Sequence, residues 1–274
     1  MTINCKGELI DLKLPRVMGI LNVTPDSFFD GGRFKDEKNA LKQVEKMMLE
    51  GASFIDIGAY SSKPGADEVS EALELKRIIP IVELVLKYFP DVLLSIDTFR
   101  GTVARECVER GAAIVNDISA GLRDETLLDT IANLQVPYIM MHMRGTPKTM
   151  QKQTVYQHLM QDILLFFSQR LAMAREKGIH DIIIDPGFGF AKTLEQNYQL
   201  LQQLEALKVT DLPVLAGISR KSMIYKLLNS EPENALNGTT ALHIVALTKG
   251  ANILRVHDVK EAVECVRLHK QLTS

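Results

Sequence analysis

Cysteine is scarce: 274 residues hold only Cys5, Cys107 and Cys265, far apart and without a C-x-x-C pair. They supply neither a disulfide framework nor a zinc site, no H-E-x-x-H offers a catalytic zinc instead, and a reducing cytoplasm fits best. No apolar run approaches the roughly 18 residues of a membrane-spanning helix, so no membrane partner is expected. The start of the chain scatters Lys6, Glu8, Asp11 and Lys13 among apolar residues, unlike a signal peptide, and neither cleavage nor export is expected. Neither sign of charge is in excess. With 32 basic and 34 acidic side chains the net charge is −2, too little to hold nucleic acid by counterion release, so any anion must be bound locally. No linker rich in Pro, Gly or Ser divides the chain, and residues 1–274 are expected to form a single domain.

What is present is a globular balance, 46% apolar and 24% charged, and a repeating rhythm. Short runs rich in Ile, Val and Leu occur at Val17–Asn22, Phe54–Gly58, Leu93–Asp97, Ile114–Asp117, Tyr138–His142, Ile182–Asp185, Val214–Gly217 and Ile253–Val256. Continuous apolar character without strict alternation predicts strands covered on both faces. Between them, Asn39–Leu49, Leu73–Tyr88, Thr102–Arg110, Thr126–Leu134, Leu159–Lys177, Leu194–Leu207, Thr239–Lys249 and Val259–Leu272 carry apolar residues at helical spacing. Gly51, Gly111, Gly178 and Gly250 follow helical stretches, where a left-handed residue ends a helix. Eight strand–helix units predict an α/β chain closed into a (β/α)8 TIM barrel, with an open doubly wound sheet as the alternative. The segment before Pro15 is a short N-terminal extension, expected to be a hairpin closing the barrel floor.

In such a barrel chemistry sits at the C-terminal strand ends. Those ends carry Asn22, Asp56, Asp97, Asn116 with Asp117, His142, Asp185, Ser219 followed by Arg220 and Lys221, and Arg255 with His257. Asp97 and Asp185 would share a pocket with Lys221 and Arg255. One reading is a charge network that only closes the mouth. The other is recognition of a flat polar heterocycle: carboxylates accept paired ring N–H groups, an asparagine meets a mixed edge, a lysine covers a ring carbonyl and a guanidinium stacks on the ring face. The long stretch Asn22–Gly32 and the segment Ser61–Gly65 suit binding loops, with Lys63, Arg255 and His257 as charge for a phosphate. Asn22 beside a divalent ion that bridges substrate phosphates would suit Mg2+, which borrows few protein ligands.

Six segments in order, Leu21-Asn-Val-Thr-Pro-Asp-Ser-Phe28, Ser95-Ile-Asp-Thr98, Val115-Asn-Asp-Ile118, Asp185-Pro-Gly-Phe-Gly-Phe190, Ser219-Arg-Lys-Ser222 and Arg255-Val-His-Asp258, resemble the pterin-binding dihydropteroate synthase family over nearly the whole chain. The resemblance implies a cytoplasmic transferase of folate biosynthesis, usually a homodimer and a sulfonamide target. It joins 6-hydroxymethyl-7,8-dihydropterin pyrophosphate to 4-aminobenzoate with help from Mg2+. It further implies that Asp97, Asn116, Asp185, Lys221 and Arg255 bind the pterin and that Asp97, Asp185, Lys221 and Arg255 carry the catalysis. Asn22, Lys63, Arg255 and His257 are implied for the pyrophosphate, with Asn22 on the metal, and Phe28, Ser62, Pro64, Phe190 and Ser219 for the aminobenzoate. The segment Ala59-Tyr-Ser-Ser-Lys-Pro-Gly65 departs from the Gly-Glu-Ser-Thr-Arg-Pro-Gly of many relatives, and Lys63 puts a point charge where they carry a bidentate arginine. Two other readings share the pattern: a pterin-dependent methyltransferase domain, and a catalytically silent pterin-binding homologue.

Overall fold

The computed structural model of the chain describes residues 1–23, 33–60, 65 and 69–273. A hairpin of β1 (Thr2–Cys5) and β2 (Glu8–Asp11) precedes eight parallel strands: β3 (Arg16–Asn22), β4 (Phe54–Gly58), β5 (Leu94–Asp97), β6 (Ile114–Asp117), β7 (Tyr138–Met141), β8 (Ile182–Asp185), β9 (Leu215–Ala216) and β10 (Ile253–Val256). Neighbours follow the order β8-β7-β6-β5-β4-β3-β10-β9. A parallel bridge from Ile184 to Val214, with the Ile184 N–H donating to the Pro213 carbonyl at 2.9 Å, joins the two ends. The ring is therefore closed, as the rhythm predicts, and the open sheet is excluded.

Side chains alternate between the two faces of each strand. Val17, Ile55, Ile57, Leu94, Ile96, Val115, Ile182, Ile184 and Leu254 belong to the larger core, packed with the helices. Those helices, among the described residues, are α1 (Arg33–Leu49), α2 (Glu71–Tyr88), α3 (Gly101–Glu109), α4 (Leu127–Leu134), α5 (Leu159–Glu176), α6 (Leu194–Gln202), α7 (Ser222–Tyr225), α8 (Leu236–Thr248) and α9 (Val259–Thr273). Ser70 caps α2 by accepting the Leu73 N–H, and Thr193 with Gln196 forms a capping box on α6. The four glycines after helices take φ of 100°, 109°, 81° and 100°, the left-handed stop expected of them.

Inward positions form a second core. Met18, Phe54, Ile114, Ile139, Ile183, Leu215 and Ile253 fill the barrel's lower end against Ile3, Cys5 and Leu12 of the hairpin segment. Thr2 pairs with Asp11, the Asn4 N–H donates to Asp181 at 3.2 Å, and the Asn252 amide donates to the Leu12 carbonyl at 2.9 Å. The N-terminal extension thus closes the floor. The three cysteines are buried and unbridged, and among the described residues no helix is long and apolar enough to cross a membrane.

Some boundaries differ from expectation. The Val214–Gly217 run narrows to two strand residues, because the chain leaves the ladder at Gly217 to bring Ser219–Lys221 back over the pocket. The helix expected over Leu194–Leu207 stops at Gln202 and continues as a 3-10 turn over Leu204–Thr210. Arg33–Lys38, too polar to show helical periodicity, begins α1.

Candidate functional site

Two residues above the floor the same inward rows become polar. Asp56 follows Phe54, Asn116 follows Ile114, Asp185 follows Ile183 and Arg255 follows Ile253, because a period of two keeps each pair on one face. The Arg255 guanidinium lies between two carboxylates. Its Nε donates to Asp56 Oδ2 at 2.6 Å and its Nη2 to Asp97 Oδ2 at 2.8 Å. Asn116 Nδ2 donates to the same Asp56 oxygen at 3.1 Å. Across the mouth, Asp185 Oδ1 accepts the Gly187 N–H at 2.7 Å. Lys221 Nζ donates to the Phe188 carbonyl and lies 4.8 Å from the centroid of the Phe190 ring. Gly217 lies beside both side chains: a Cβ there would sit 3.7 Å from Lys221 Nζ and 3.9 Å from Asp185 Oδ2, in ordinary contact with both.

Burial governs the charges. Desolvation pushes the Asp97 carboxyl up to about 7; Arg255 opposes this, while Asp56, Glu74 and Asp117 add to it. Burial raises Asp185 as well, against Lys221 and the Gly187 N–H. It lowers Lys221 to about 8, countered by Asp185. For Arg255 burial works against the charge, but Asp56 and Asp97 outweigh it and drive the guanidinium above its usual range. The mouth therefore holds a fixed cation, with the Asp97 carboxyl raised and the Lys221 ammonium lowered toward neutrality beside it.

The Ser219-Arg-Lys turn brings two of its three side chains to this end of the barrel. Arg220 turns away, its φ of 52° held by a two-pronged pair with Asp258 (2.8 Å each) and by the carbonyls of Pro232 and Glu233 at 3.0 and 2.8 Å. Ser219 Oγ accepts the His257 N–H and meets His257 Nδ1, both at 3.1 Å. In the tautomer that lets Ser219 donate to Nδ1, the imidazole proton lies on Nε2. His257 is exposed at the rim, Phe190 is half-buried and Asn22 ends β3, half-buried beside Gly58. The barrel thus brings Asn22, Asp97, Asn116, Asp185, Phe190, Ser219, Lys221, Arg255 and His257 to one end. Phe28, Ser62, Lys63 and Pro64 lie outside the described residues.

Two polar strand ends are not part of the pocket. Asp117 is adjacent to inward Asn116 and must face the helices, where it accepts from Tyr138 Oη at 2.8 Å and from Ser119 and Gly121. His142 also faces outward, its ring 4.8 Å from Phe166 and its Nδ1 3.1 Å from Lys192 Nζ. Strict alternation along the strands would have removed Asp117 from the candidates.

Three groups went unassigned in the sequence reading. Asp56 stood among the strand ends without a role, although its register with Phe54 and Gly58 marks it as inward. Lys192, 3% exposed, donates to the carbonyls of Gly187 and Phe190 at 2.9 and 3.1 Å and so fixes the loop that carries Phe190; burial lowers it to about 7. No spacing signals it. Tyr60 packs edge-on to Phe99 at 5.3 Å, and the Arg123 guanidinium lies 3.7 Å over that same ring. At Gly187, with φ of 73°, a Cβ would fall 2.1 Å from the His142 carbonyl oxygen, so this loop requires glycine there.

Residues 18–257 match the pterin binding enzyme family. The chain belongs to that family. Among relatives of these pterin-binding enzymes, the dihydropteroate synthase of Escherichia coli strain K12 is 44% identical over 270 residues, covering 98% of this chain and 95% of that protein. The Yersinia pestis dihydropteroate synthase, solved as a sulfonamide drug complex, superposes with a TM-score of 0.94 at 44% identity, covering 100% of this chain and 99% of that one. The Xanthomonas albilineans dihydropteroate synthase with 4-aminobenzoic acid gives 0.92 at 39% identity, covering 100% and 98%.

Proposed function

We infer that this pterin-binding enzyme is a dihydropteroate synthase, a transferase of folate synthesis that joins 6-hydroxymethyl-7,8-dihydropterin pyrophosphate to 4-aminobenzoate. The observation that carries the reading is the polar end of the barrel, where Asp56, Asp97, Asn116, Asp185, Lys221 and Arg255 meet above an apolar floor. Relatives of the same length and fold bear the synthase name, which separates this reading from a methyltransferase domain.

In the mechanism we propose, Asp185 accepts the paired N–H groups of the pterin's aminopyrimidine edge, and Lys221 donates to the ring carbonyl. Asn116 and Asp97 meet the opposite edge, and Arg255 presents its guanidinium face to the ring. The C–O bond between the pterin methylene and the diphosphate breaks, and pyrophosphate leaves with the electron pair. Positive charge then develops on the methylene, and Asp97 and Asp185 stabilise it more than they stabilise the neutral ring. The aminobenzoate nitrogen donates its lone pair to that carbon and gives up a proton to the released pyrophosphate, so no covalent enzyme intermediate is needed. His257 Nε2–H, Arg255 and Lys63 hold the leaving pyrophosphate. Phe190 and Ser219, with Phe28, Ser62 and Pro64, receive the aminobenzoate, which is where sulfonamides would compete.

Asn22 suits Mg2+: a single neutral amide oxygen at a strand end fits an ion that takes its other ligands from phosphates and water. Among the described residues no cluster of three or more His, Cys, Asp or Glu offers a denser cage. When bound, Mg2+ supplies charge neutralisation on the departing pyrophosphate. A cytoplasmic location accords with the three buried thiols, and a homodimer rests on the resemblance.

The test is incubation of the purified protein with the pterin pyrophosphate, aminobenzoate and Mg2+. Dihydropteroate and pyrophosphate should form in equal amounts. Pterin binding without turnover would instead make the chain a silent homologue.

A further inference from the structure

Asp56 is wholly buried on β4, and neither the bases for pterin recognition nor those for pyrophosphate release named above include it. Its Oδ2 takes two hydrogen bonds, from Arg255 Nε on β10 and from Asn116 Nδ2 on β6. Among the described residues its Oδ1 has no hydrogen-bond partner, and neither has the Oγ of its register partner Ser95, which faces the same interior. A buried carboxylate is costly unless it is hydrogen-bonded, so the bonds from Arg255 and Asn116 are what hold it there.

We propose that Asp56 is a positioning residue that sets the recognition pattern of the pterin pocket by fixing the guanidinium of Arg255 and the amide of Asn116. The amide orientation follows from charge. Turned the other way, Asn116 would press its carbonyl oxygen against a carboxylate; held as it is, it keeps Nδ2 on Asp56 and leaves Oδ1 as an acceptor for a ring N–H. The guanidinium is fixed the same way, with Nε on Asp56 and Nη2 on Asp97, so its plane cannot rotate about the side-chain axis. One oxygen thus couples an edge contact to a face contact, on strands that are not neighbours.

Asp56 also shapes the charge of Asp97. Around Asp97 stand Arg255 on β10, Asp56 on β4, Glu74 on α2 and Asp117 on β6, with the Lys221 ammonium also within electrostatic reach; Arg255 is the cation that acts on it most. Removing the negative charge at 56 takes one repelling carboxylate away from Asp97 and leaves Arg255 to Asp97 and Asp185, and both changes lower the Asp97 value.

The inference rests on the synthase reading for its substrate, and the experiment separates the two. Asp56→Asn keeps the shape and removes the charge. Kinetics for each substrate are measured from pH 5.5 to 9, with calorimetric titration of 6-hydroxymethylpterin and a thermal melt. The KM for the pterin pyrophosphate and the pterin Kd should rise by roughly tenfold or more, the loss expected when a charge-assisted hydrogen bond goes, while the KM for aminobenzoate stays within about twofold. The acid limb of kcat/KM should move to lower pH, which a purely structural role would not cause. If Asp56→Asn does not fold, Asp56→Ser is measured in its place with the same expectations. Unchanged pterin affinity with an unmoved acid limb overturns the proposal. So does an equal loss for both substrates with a lower melting temperature. A wild-type chain that binds pterin without turnover removes the synthase reading, and the titrations alone then decide the role of Asp56.

Discussion

The two ends of the barrel differ by two residues per strand. At the floor Phe54, Ile183 and Ile253 are fully enclosed hydrocarbon; one pleat higher the same strands present Asp56, Asp185 and Arg255. Both layers are buried, yet their energetics are opposite. The floor gains from desolvation, at about 25 cal/mol per Å2 of apolar surface. At the rim the same desolvation raises Asp97 and Asp185 and lowers Lys221, so the pocket opposes its own charges until a ligand satisfies them. One end of the barrel is built for stability, the other for differential binding.

That contrast can be broken from either side. The largest effect belongs to the rim: Asp185→Asn replaces an acceptor with a donor facing ring N–H groups and should weaken pterin binding by roughly a hundredfold, at the upper end of the cost of a charged hydrogen bond. Unchanged affinity in calorimetry would remove Asp185 from the pocket. At the floor, Phe54→Ala should lower unfolding free energy by about 3–5 kcal/mol in denaturant titrations while leaving KM for the pterin substrate in place. A changed KM would show that floor and rim are not separable.

The Lys192 contact sharpens the comparison, because it is a buried amine serving a loop rather than a substrate. Lys192→Met strips the Gly187 and Phe190 carbonyls of their donor, and should raise the aminobenzoate KM several-fold with less change for the pterin substrate. pH supplies a gentler probe. Asp97 must be ionised to accept and Lys221 charged to donate, so kcat/KM for the pterin substrate should be bell-shaped, falling below about 7 and above about 8. A flat profile across that window would detach both groups from binding. Smallest of all, Lys63→Arg should leave pyrophosphate inhibition equal or tighten it by about twofold, and a marked loss would show that this loop packs differently from its relatives.

Most of the barrel was legible because its strands are short runs rich in Ile, Val and Leu: the runs Phe54–Gly58, Ile114–Asp117, Ile182–Asp185 and Ile253–Val256 are the observed strands to the residue. The end of the Val214 run was not, since strand pairing there yields to the turn that delivers Lys221. The polar rim was legible as residue types at strand ends, but not as directions. Asn116 and Asp117 read alike in sequence and point to opposite faces. Asp56 was visible without a purpose, because its partners Arg255 and Asn116 are 199 and 60 residues away. Lys192 left no trace, since a lysine two residues beyond an aromatic is ordinarily solvated.

The closure of the ring has a mechanical consequence. Every other junction in the ring is a ladder of two to five registered pairs, whereas β8 meets the next strand through the single Ile184–Val214 bridge. That thin weld runs between the strand that bears Asp185 and the stretch that leads to Lys221, so any force prising the cylinder open parts the anion from the ammonium first. Amide exchange at Ile184 should outpace that at Ile57, and the barrel would yield along the line where its two opposed charges stand.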